Sequence, residues 1–404
     1  MRRPLVEVAD VARQYGADYL ARYGAVTSTA QRRVLQAVAP CRTAVRGGHT
    51  AQCDHCGHEE ISSHSCRNRH CPTCQGHAQA AWLAAREREV LEVPSCPVVL
   101  TLPAQRSPLT LQKTRVVEAF LLQAVAETLQ TMARDPTHVG AEIGFLGVLP
   151  TWGHTLHHHP HIHGLVPAGG LALEGTAGVP CPTRFCLPVR VLSRFFRRTF
   201  LPALRPAARQ ERLSMQGQCQ RWASPCAWHP FLTTRQQTEW VVSAKPPLAG
   251  PQAVRRSLAR STHRVAITNR RLLTSTDGQV TFRWQDSQRG NRPRTMTLEA
   301  VACLRRFLLH VLPRGCKRMR HDGLFAHGVR KVTLPLCRRI LGQAARPSTD
   351  VRAAGDLAQP GPPRPSRSEG CPVCHVGRMQ VQDTWCAQRT ARDLARPVLV
   401  WDTS

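Results

Sequence analysis

The chain has 404 residues and a formal net charge of +29, because 55 Lys and Arg face only 26 Asp and Glu. This length allows two or three domains with a substantial core. So large a positive excess indicates nucleic acid as the partner, and no run of 18 apolar residues favours a membrane. No apolar stretch follows the basic N-terminus as in a secretory signal, so we expect a cytoplasmic, nucleoid-associated protein.

From the N-terminus onward, hydrophobic periodicity predicts a series of helices and short strands. Helices are predicted over residues 1–40 (an N-terminal helical segment), 75–92, 111–132 and 298–312. Strands are predicted over residues 97–103, within 143–152, and over 279–284 after the turn signal Asp277-Gly278. From Gly342 to Ser368 the chain is rich in Pro, Ala, Arg and Gly, which predicts a disordered linker.

Cysteine usage indicates metal binding. There are 17 cysteines, an odd number in a large chain, and six of them crowd between residues 41 and 74. Two Cys-x2-Cys knuckles predict one structural zinc site in a module of residues 41–78, with the ligands Cys53, Cys56, Cys71 and Cys74. Four cysteines leave no open coordination position, so such a site is structural. Candidate ligands of a second site are Cys41, His49, Cys66 and His70, with His58 and His64 as competitors.

Two further features belong to this cysteine chemistry. Arg67 and Arg69 stand between the predicted ligands and indicate that the module touches DNA phosphates. A third knuckle, Cys371-Pro-Val-Cys374, follows the linker. Because only His375 and Cys386 lie near it in the sequence, a complete zinc site is not predicted there.

A histidine cluster carries the strongest functional signal, with six histidines within ten residues. His161 and His163 flank Ile162 in an apolar, strand-like context, so both imidazoles should point to one face while Ile162 points to the other. Two imidazoles on one face are half of a divalent-metal site. His157 and His158 are expected to be loop or supporting residues. Candidates for a third ligand are His154, His159 and His263.

Six motifs follow one another along the chain, at residues 66–74 (CRNRHCPTC), 145–153 (FLGVLPTWG), 158–163 (HHPHIH), 240–247 (WVVSAKPP), 262–269 (THRVAITN) and 282–284 (FRW). In this order they resemble the two-tyrosine HUH transposases of rolling-circle insertion sequences of the IS91 type, over roughly residues 10–340. The resemblance implies an α+β fold. Its parts would be an N-terminal zinc-binding module, an antiparallel-sheet HUH nuclease domain over residues 95–342 with the histidine pair on a central strand, and a disordered tail over residues 343–404.

The resemblance also implies a reaction, the cleavage and transfer of single-stranded or hairpin DNA at transposon ends. Mg²⁺ or Mn²⁺ held by the histidine pair would polarise the scissile phosphate, and a helix-borne tyrosine would attack phosphorus and join the 5′ end. Where the family has Tyr-Leu-x-Arg-Tyr-Thr-His-Arg, this chain has Ser257-Leu-Ala-Arg260-Ser261-Thr-His-Arg264. Both nucleophile positions are therefore serine, and Arg260 and Arg264 are candidate DNA contacts.

The serine substitutions leave three interpretations open. One is a transposase by descent with impaired strand transfer, because a serine side chain is shorter and its hydroxyl more basic than a phenol. The others are a non-catalytic DNA-binding relative and a metal-dependent nuclease that uses water. Tyr19 and Tyr23 have the Tyr-x3-Tyr spacing and share a helical stripe with Tyr15, but a packing role is favoured for them.

Overall fold

A computed structural model of the chain describes residues 5–75, 91–103, 107–181, 187–210, 212–213, 215–248, 266–286, 289–313, 315–316, 318–342 and 370–386. The α-helices of this part are α1 Val8–Tyr23, α2 Thr29–Val38, α3 Ser107–Gln112, α4 Thr114–Arg134, α5 Val189–Arg209, α6 Pro225–Gln237, α7 Ala300–Leu308 and α8 Arg330–Ile340. The first strands are β1 Gly47–Cys53, β2 Glu59–Ser63, β3 Ser95–Thr101, β4 Ala141–Glu142, β5 Gly144–Val148, β6 His161–Pro167 and β7 Gly169–Ala172. The remaining strands are β8 Gly178–Pro180, β9 Val242–Ala244, β10 Leu272–Thr276, β11 Gln279–Asp286, β12 Arg292–Glu299, β13 Met319–Gly323 and β14 Met379–Cys386.

A five-stranded antiparallel sheet with the order β13-β5-β6-β3-β9 forms the centre of the molecule. Ile162 of β6 and Leu100 of β3 are fully buried in one hydrophobic cluster with residues of α4 and α5. The apolar side chains of α5 recur every four residues, as Phe196, Phe200 and Leu204, and all three are buried there. The two helices therefore cover one face of the sheet and leave the face of the histidines to other elements.

A second hydrophobic cluster joins α1, α2 and α7 to the sheet β10-β11-β12. Asp277 and Gly278, which connect β10 to β11, have φ angles of 51° and 72°. Two central residues with positive φ are what a two-residue hairpin turn needs, and Asp-Gly is a favoured pair for it. The predicted turn and the strand that follows it are confirmed.

The three tyrosines of α1 are packing residues. The Tyr19 side chain is buried, with its hydroxyl 3.0 Å from that of Thr27. The Tyr15 hydroxyl accepts a hydrogen bond from the backbone N–H of Gly278 at 3.2 Å. The guanidinium of Arg305 lies 4.2 Å from the ring centroid of Tyr23. These contacts tie α1 to the second cluster and agree with the packing role favoured above.

Most other predicted elements are confirmed with shifted ends. The N-terminal helical segment is α1 and α2, and the predicted helix over 111–132 is interrupted at Lys113 between α3 and α4. The predicted helix over 298–312 is shorter, because Leu298 still pairs with Val280 in the sheet before α7 begins. Most of the predicted helix over 75–92 and the linker lie outside the described residues.

Within the predicted C-terminal tail, the described residues 370–386 are folded, and β14 pairs antiparallel with β1. The sequence offered no sign of this pairing, since the two strands come from opposite ends of the chain. No helix in the described ranges is both long and apolar enough to span a membrane.

Candidate metal centres

The histidine pair opens β6, the middle strand of the central sheet. His163 lies opposite Val99 of β3 and Val148 of β5, and His161 lies opposite Thr101. Ile162 between them is buried against the helices. As predicted from period two, both imidazoles leave the sheet on the face opposite to Ile162, and their Nε2 atoms are 3.0 Å apart.

The protonation of His161 suits a metal ligand. Its Nδ1 is 2.7 Å from the carbonyl oxygen of His159. Because a carbonyl only accepts, Nδ1 carries the proton and Nε2 presents its lone pair toward His163. Burial, and secondly the neighbouring His163, lower the pKa of His161 to about 3, so its ring is neutral. A metal needs such a neutral imidazole.

The separation of the two Nε2 atoms fits a divalent ion. Two adjacent ligands of an octahedral ion, each about 2.1 Å from the metal, are about 3.0 Å apart. The observed distance between the nitrogens is 3.0 Å. Among the described residues, two groups of three or more His, Cys, Asp or Glu side chains lie close enough together to share an ion, and both groups consist of cysteines. His154 and His159 therefore do not complete a three-ligand group with the pair, while His263 lies outside the described residues and stays a candidate.

One buried histidine, which no sequence pattern indicated, supports this strand. His310 follows α7, and its Nε2 donates to the carbonyl oxygen of Leu156 at 3.1 Å while its Nδ1 accepts from the Thr151 hydroxyl at 3.3 Å. Burial lowers the pKa of His310 to about 3. Its ring stacks on His158 with an interplanar angle of 7°. His310 thus fixes the loop that leads into β6, and His158 takes the supporting role expected for it.

The structure corrects the predicted single site of Cys53, Cys56, Cys71 and Cys74, since it divides these four residues between two clusters. The buried cluster consists of Cys41, Cys66, Cys71 and Cys74. The outer cluster consists of Cys53, Cys56, Cys371 and Cys374. Each predicted Cys-x2-Cys knuckle thus lies beside cysteines other than those of the knuckle with which its sequence spacing had paired it. Of the second-site candidates, Cys41 and Cys66 belong to the buried cluster, whereas His49 and His70 belong to neither cluster.

The buried cluster has the dimensions of a zinc site. Its sulfur atoms are 3.5 Å apart between Cys66 and Cys74 and 3.7 Å apart between Cys71 and Cys41. A tetrahedral zinc with Zn–S bonds of about 2.3 Å requires sulfurs about 3.8 Å apart, whereas a disulfide would bring them to about 2.05 Å. The four side chains are therefore arranged to hold a zinc ion, which would supply structural cross-linking and no open coordination position.

The loop of the buried cluster is bound to the body of the protein. The Thr73 hydroxyl donates to Glu7 Oε2 at 3.0 Å and accepts from Asn269 Nδ2 at 2.9 Å. Asn269 in turn accepts from the backbone N–H of Val8 at 3.1 Å. Asn269 is the last residue of the motif 262–269, so the cysteine loop holds the end of that motif.

Basic residues of the same loop face solvent. Arg67 and Arg69 are exposed between the cysteines, and the Nε of Arg69 donates to His70 Nε2 at 3.3 Å; both arginines stay candidate contacts to DNA phosphates. His70 beside them is buried, and burial, with Arg318 and Arg69 as further causes, lowers its pKa to about 3. The other predicted DNA contacts, Arg260 and Arg264, lie outside the described residues, as do Ser257 and Ser261.

Comparisons with known proteins identify the class. Two family models match the chain, "Putative transposase" over residues 144–332 and "Transposase zinc-binding domain" over residues 11–102. The protein is thus a transposase with an N-terminal zinc-binding domain, and transposases act on DNA. More particularly, the chain belongs to the IS91-type transposase family.

Two relatives support this assignment. The chain is 44% identical over 405 residues to the "Putative transposase y4qJ" of Sinorhizobium fredii (strain NBRC 101917 / NGR234), covering 100% of both chains. It is 29% identical over 137 residues to the "Transposase for insertion sequence element IS801" of Pseudomonas savastanoi pv. phaseolicola, which covers 33% of this chain and 32% of the relative. No solved structure matches the chain.

Proposed function

We propose that this transposase is built on the HUH rolling-circle architecture for single-strand DNA cleavage and transfer, with Mg²⁺ or Mn²⁺ bound by His161 and His163, and that the serines at both nucleophile positions have impaired its strand transfer. The ion would polarise the scissile phosphate and stabilise the charge that develops on its oxygens. Its substrate would be a single-stranded or hairpin transposon end, an expectation taken from the family.

The observation that carries this proposal is the geometry of the histidine pair. Two imidazoles on the central strand, with Nε2 atoms 3.0 Å apart, match two adjacent positions of an octahedral ion, and burial lowers the pKa of His161 so that its ring is neutral. Two protein ligands leave coordination positions for a phosphate oxygen, in contrast to the four-cysteine clusters.

The positive charge of the chain supports a nucleic acid as the substrate. The net charge of +29 favours a polyanion, and the exposed Arg67 and Arg69 place part of that charge beside the buried cluster. Lys and Arg contacts to phosphates release counterions, so binding should weaken steeply as salt rises. Binding that is absent, or indifferent to salt, would contradict this part of the proposal.

The nucleophile is the altered part of the machinery. Ser257 and Ser261 replace the two tyrosines that the family motif has, and a serine hydroxyl reaches several ångströms less far than a phenol. Strand transfer through a covalent adduct is therefore lost in our proposal. A second candidate function, hydrolysis of the strand by water at the same ion, is favoured by the same two serines because the metal ligands are retained while the side-chain nucleophiles are not.

Incubation with a 5′-labelled single-stranded oligonucleotide and Mn²⁺ distinguishes these functions. Nicking without a protein–DNA adduct, abolished in His161→Ala, is the result for hydrolysis by water. A covalent protein–DNA adduct in the unchanged chain would show that strand transfer is retained and would contradict its proposed loss. Salt-sensitive DNA binding with neither nick nor adduct would identify a protein that binds DNA without cleaving it.

A further inference from the structure

The sheet β14-β1-β2 has almost no hydrophobic core. Six of the eight residues of β14 are exposed, as are three of the five residues of β2. Large apolar side chains point to solvent, with Ile61 71% and Val381 51% exposed. The buried residues around β1 are small, such as Ala51 and Cys53. Apart from the half-buried Trp385, whose ring packs over Gly48, apolar burial at about 25 cal/mol per Å² therefore contributes little to docking this C-terminal strand.

The outer cluster lies where that core is missing. Its sulfurs are 3.7 Å apart between Cys53 and Cys374 and 3.6 Å apart between Cys56 and Cys371. These distances match the edges of about 3.8 Å in a tetrahedral zinc–thiolate site. One pair of ligands comes from the turn between β1 and β2, and the other from the turn before β14.

Backbone amides in both turns point at the sulfurs. The N–H groups of His55 and Cys56 donate to Cys53 Sγ at 3.4 and 3.5 Å. In the C-terminal turn, the N–H of Val373 donates to Cys371 Sγ at 3.4 Å and that of Gly377 to Cys374 Sγ at 3.3 Å. Such bonds stabilise thiolates, which are the form that binds zinc.

The two turns also fit each other closely. A Cβ atom added at Gly377 would lie 2.5 Å from Cys53 Sγ, which only glycine avoids. Asp54 hydrogen-bonds to both backbone groups of Arg378. Its Oδ1 accepts from the Arg378 N–H at 2.7 Å, and its own backbone N–H donates to the Arg378 carbonyl oxygen at 3.1 Å. The cysteines are therefore brought together by a shaped interface and not by chance proximity.

We propose that the outer cluster binds a second zinc ion, which clasps the C-terminal segment 370–386 onto the N-terminal hairpin β1-β2. Cys56 and Cys371 are 315 residues apart in the sequence. The matched zinc-binding domain ends at residue 102 and the transposase match at residue 332, so the C-terminal half of this site lies outside both. The clasp ties the N-terminal hairpin β1-β2 to the segment 370–386 across most of the length of the sequence.

The surface of the clasp favours a structural role over DNA contact. Exposed side chains on and beside its strands include the carboxylates Asp54, Glu59, Glu60 and Asp383. In a chain with a net charge of +29, this acidic patch would repel a phosphate backbone. The outer zinc therefore closes the chain, while DNA binding is left to the basic surfaces.

Zinc content of the full chain tests the clasp. Protein prepared without chelator should contain two zinc ions per chain by elemental analysis, and the double variant Cys371→Ser, Cys374→Ser should contain one. Cys386→Ser is the matched control, because Cys386 is an exposed residue of β14 that belongs to neither cluster. It should keep both ions.

Trypsin cleavage after Arg378 reports docking of the segment. Both backbone groups of Arg378 are hydrogen-bonded to Asp54, so cleavage should be slow in the unchanged chain and at least roughly 10-fold faster in the double variant. Gly377→Val keeps all four thiols but blocks the fit, and it should lose one zinc as well. One zinc in the unchanged chain, two in either variant, or cleavage after Arg378 that ignores the variants would overturn the clasp.

Discussion

The cysteine clusters and the histidine pair both gather metal-binding side chains, but they differ in how completely they surround an ion. Each cluster presents four sulfurs at tetrahedral spacing, and their ligand sets are complete within the described residues. The histidine pair offers two Nε2 atoms on one strand. Four thiolates saturate zinc, whereas two imidazoles leave positions for substrate oxygens.

This difference separates stability from chemistry. The energy of a structural zinc site is largely folding energy, so a lost cysteine should act on the fold. The histidines stand on a strand whose opposite face is already packed by Ile162 and two helices. A lost histidine should therefore act on the ion and on DNA cleavage while the fold persists.

The largest effect is expected from Cys71→Ser in the buried cluster. Structural zinc binding contributes on the order of 10 kcal/mol to folding, so the zinc-binding domain should unfold and lose its ion. Thermal unfolding and elemental analysis measure both. Cys303→Ser is the matched control, because Cys303 is buried in the same hydrophobic cluster but is not a ligand. Equal losses in the two variants would show that burial, and not metal binding, makes Cys71 important.

His161→Ala should have the opposite pattern, with a loss of metal binding and little change in stability. Removing one of two protein ligands should weaken Mn²⁺ binding at least ~10-fold, while the melting temperature changes little because no packed apolar group is lost. Calorimetric titration with Mn²⁺ in chelator-free buffer measures the affinity. His229→Ala, at an exposed histidine of α6, should bind Mn²⁺ as the unchanged chain does. Unchanged affinity in His161→Ala would remove the metal site from the account.

Acid should destabilise the loop that supports the histidine strand. His310 has its pKa lowered to about 3 by burial. An unfolded chain with His near pKa 6.5 binds a proton first, so the stability from this group is present above pH 6.5 and declines by about 1.4 kcal/mol per pH unit as pH falls toward 3. In His310→Gln, the difference in the free energy of unfolding between pH 6.5 and pH 5.5, measured with denaturant, should be smaller by about 1 kcal/mol, because the unfolded histidine is already half protonated at pH 6.5. An unchanged dependence would contradict the neutral, buried state of His310.

The smallest effect is expected at the exposed arginines of the cysteine loop. Arg67→Gln with Arg69→Gln should leave zinc content and melting temperature unchanged and lower the slope of log K against log salt by about 1 per lost phosphate contact. Arg22→Gln with Arg134→Gln is a control of equal charge, since both arginines are exposed and paired, with Glu299 and Glu142. The same slope in all three proteins would place the DNA elsewhere on the surface.

Local patterns predicted the part of the site that is local in sequence. His161, Ile162 and His163 are consecutive, so strand periodicity alone fixes which side chains share a face. The Asp277-Gly278 turn was predictable for the same reason, because its two residues carry their own φ preference. The antiparallel sheet followed from the family resemblance and not from the strands themselves.

The cysteine grouping was not predictable because ligand spacing describes single turns and not which turns meet. The knuckle Cys53–Cys56 meets Cys371 and Cys374 only through the pairing of β1 with β14. His310 gave no signal either, as a single histidine at the end of an apolar helix. Its role depends on Thr151 and Leu156, which are more than 150 residues away.

The central claim is that the histidine pair holds the ion which orients DNA for a nucleophile at positions 257 and 261. A covalent-adduct assay measures this most directly. The proteins are the unchanged chain, Ser257→Tyr with Ser261→Tyr, and the latter with His161→Ala, each with single-stranded transposon-end DNA and Mn²⁺. We predict an adduct in the tyrosine variant alone, since a phenol restores the reach that serine lacks and His161 is needed for the ion. An adduct mapped to Ser257 or Ser261 in the unchanged chain, or one that survives His161→Ala, would contradict the account.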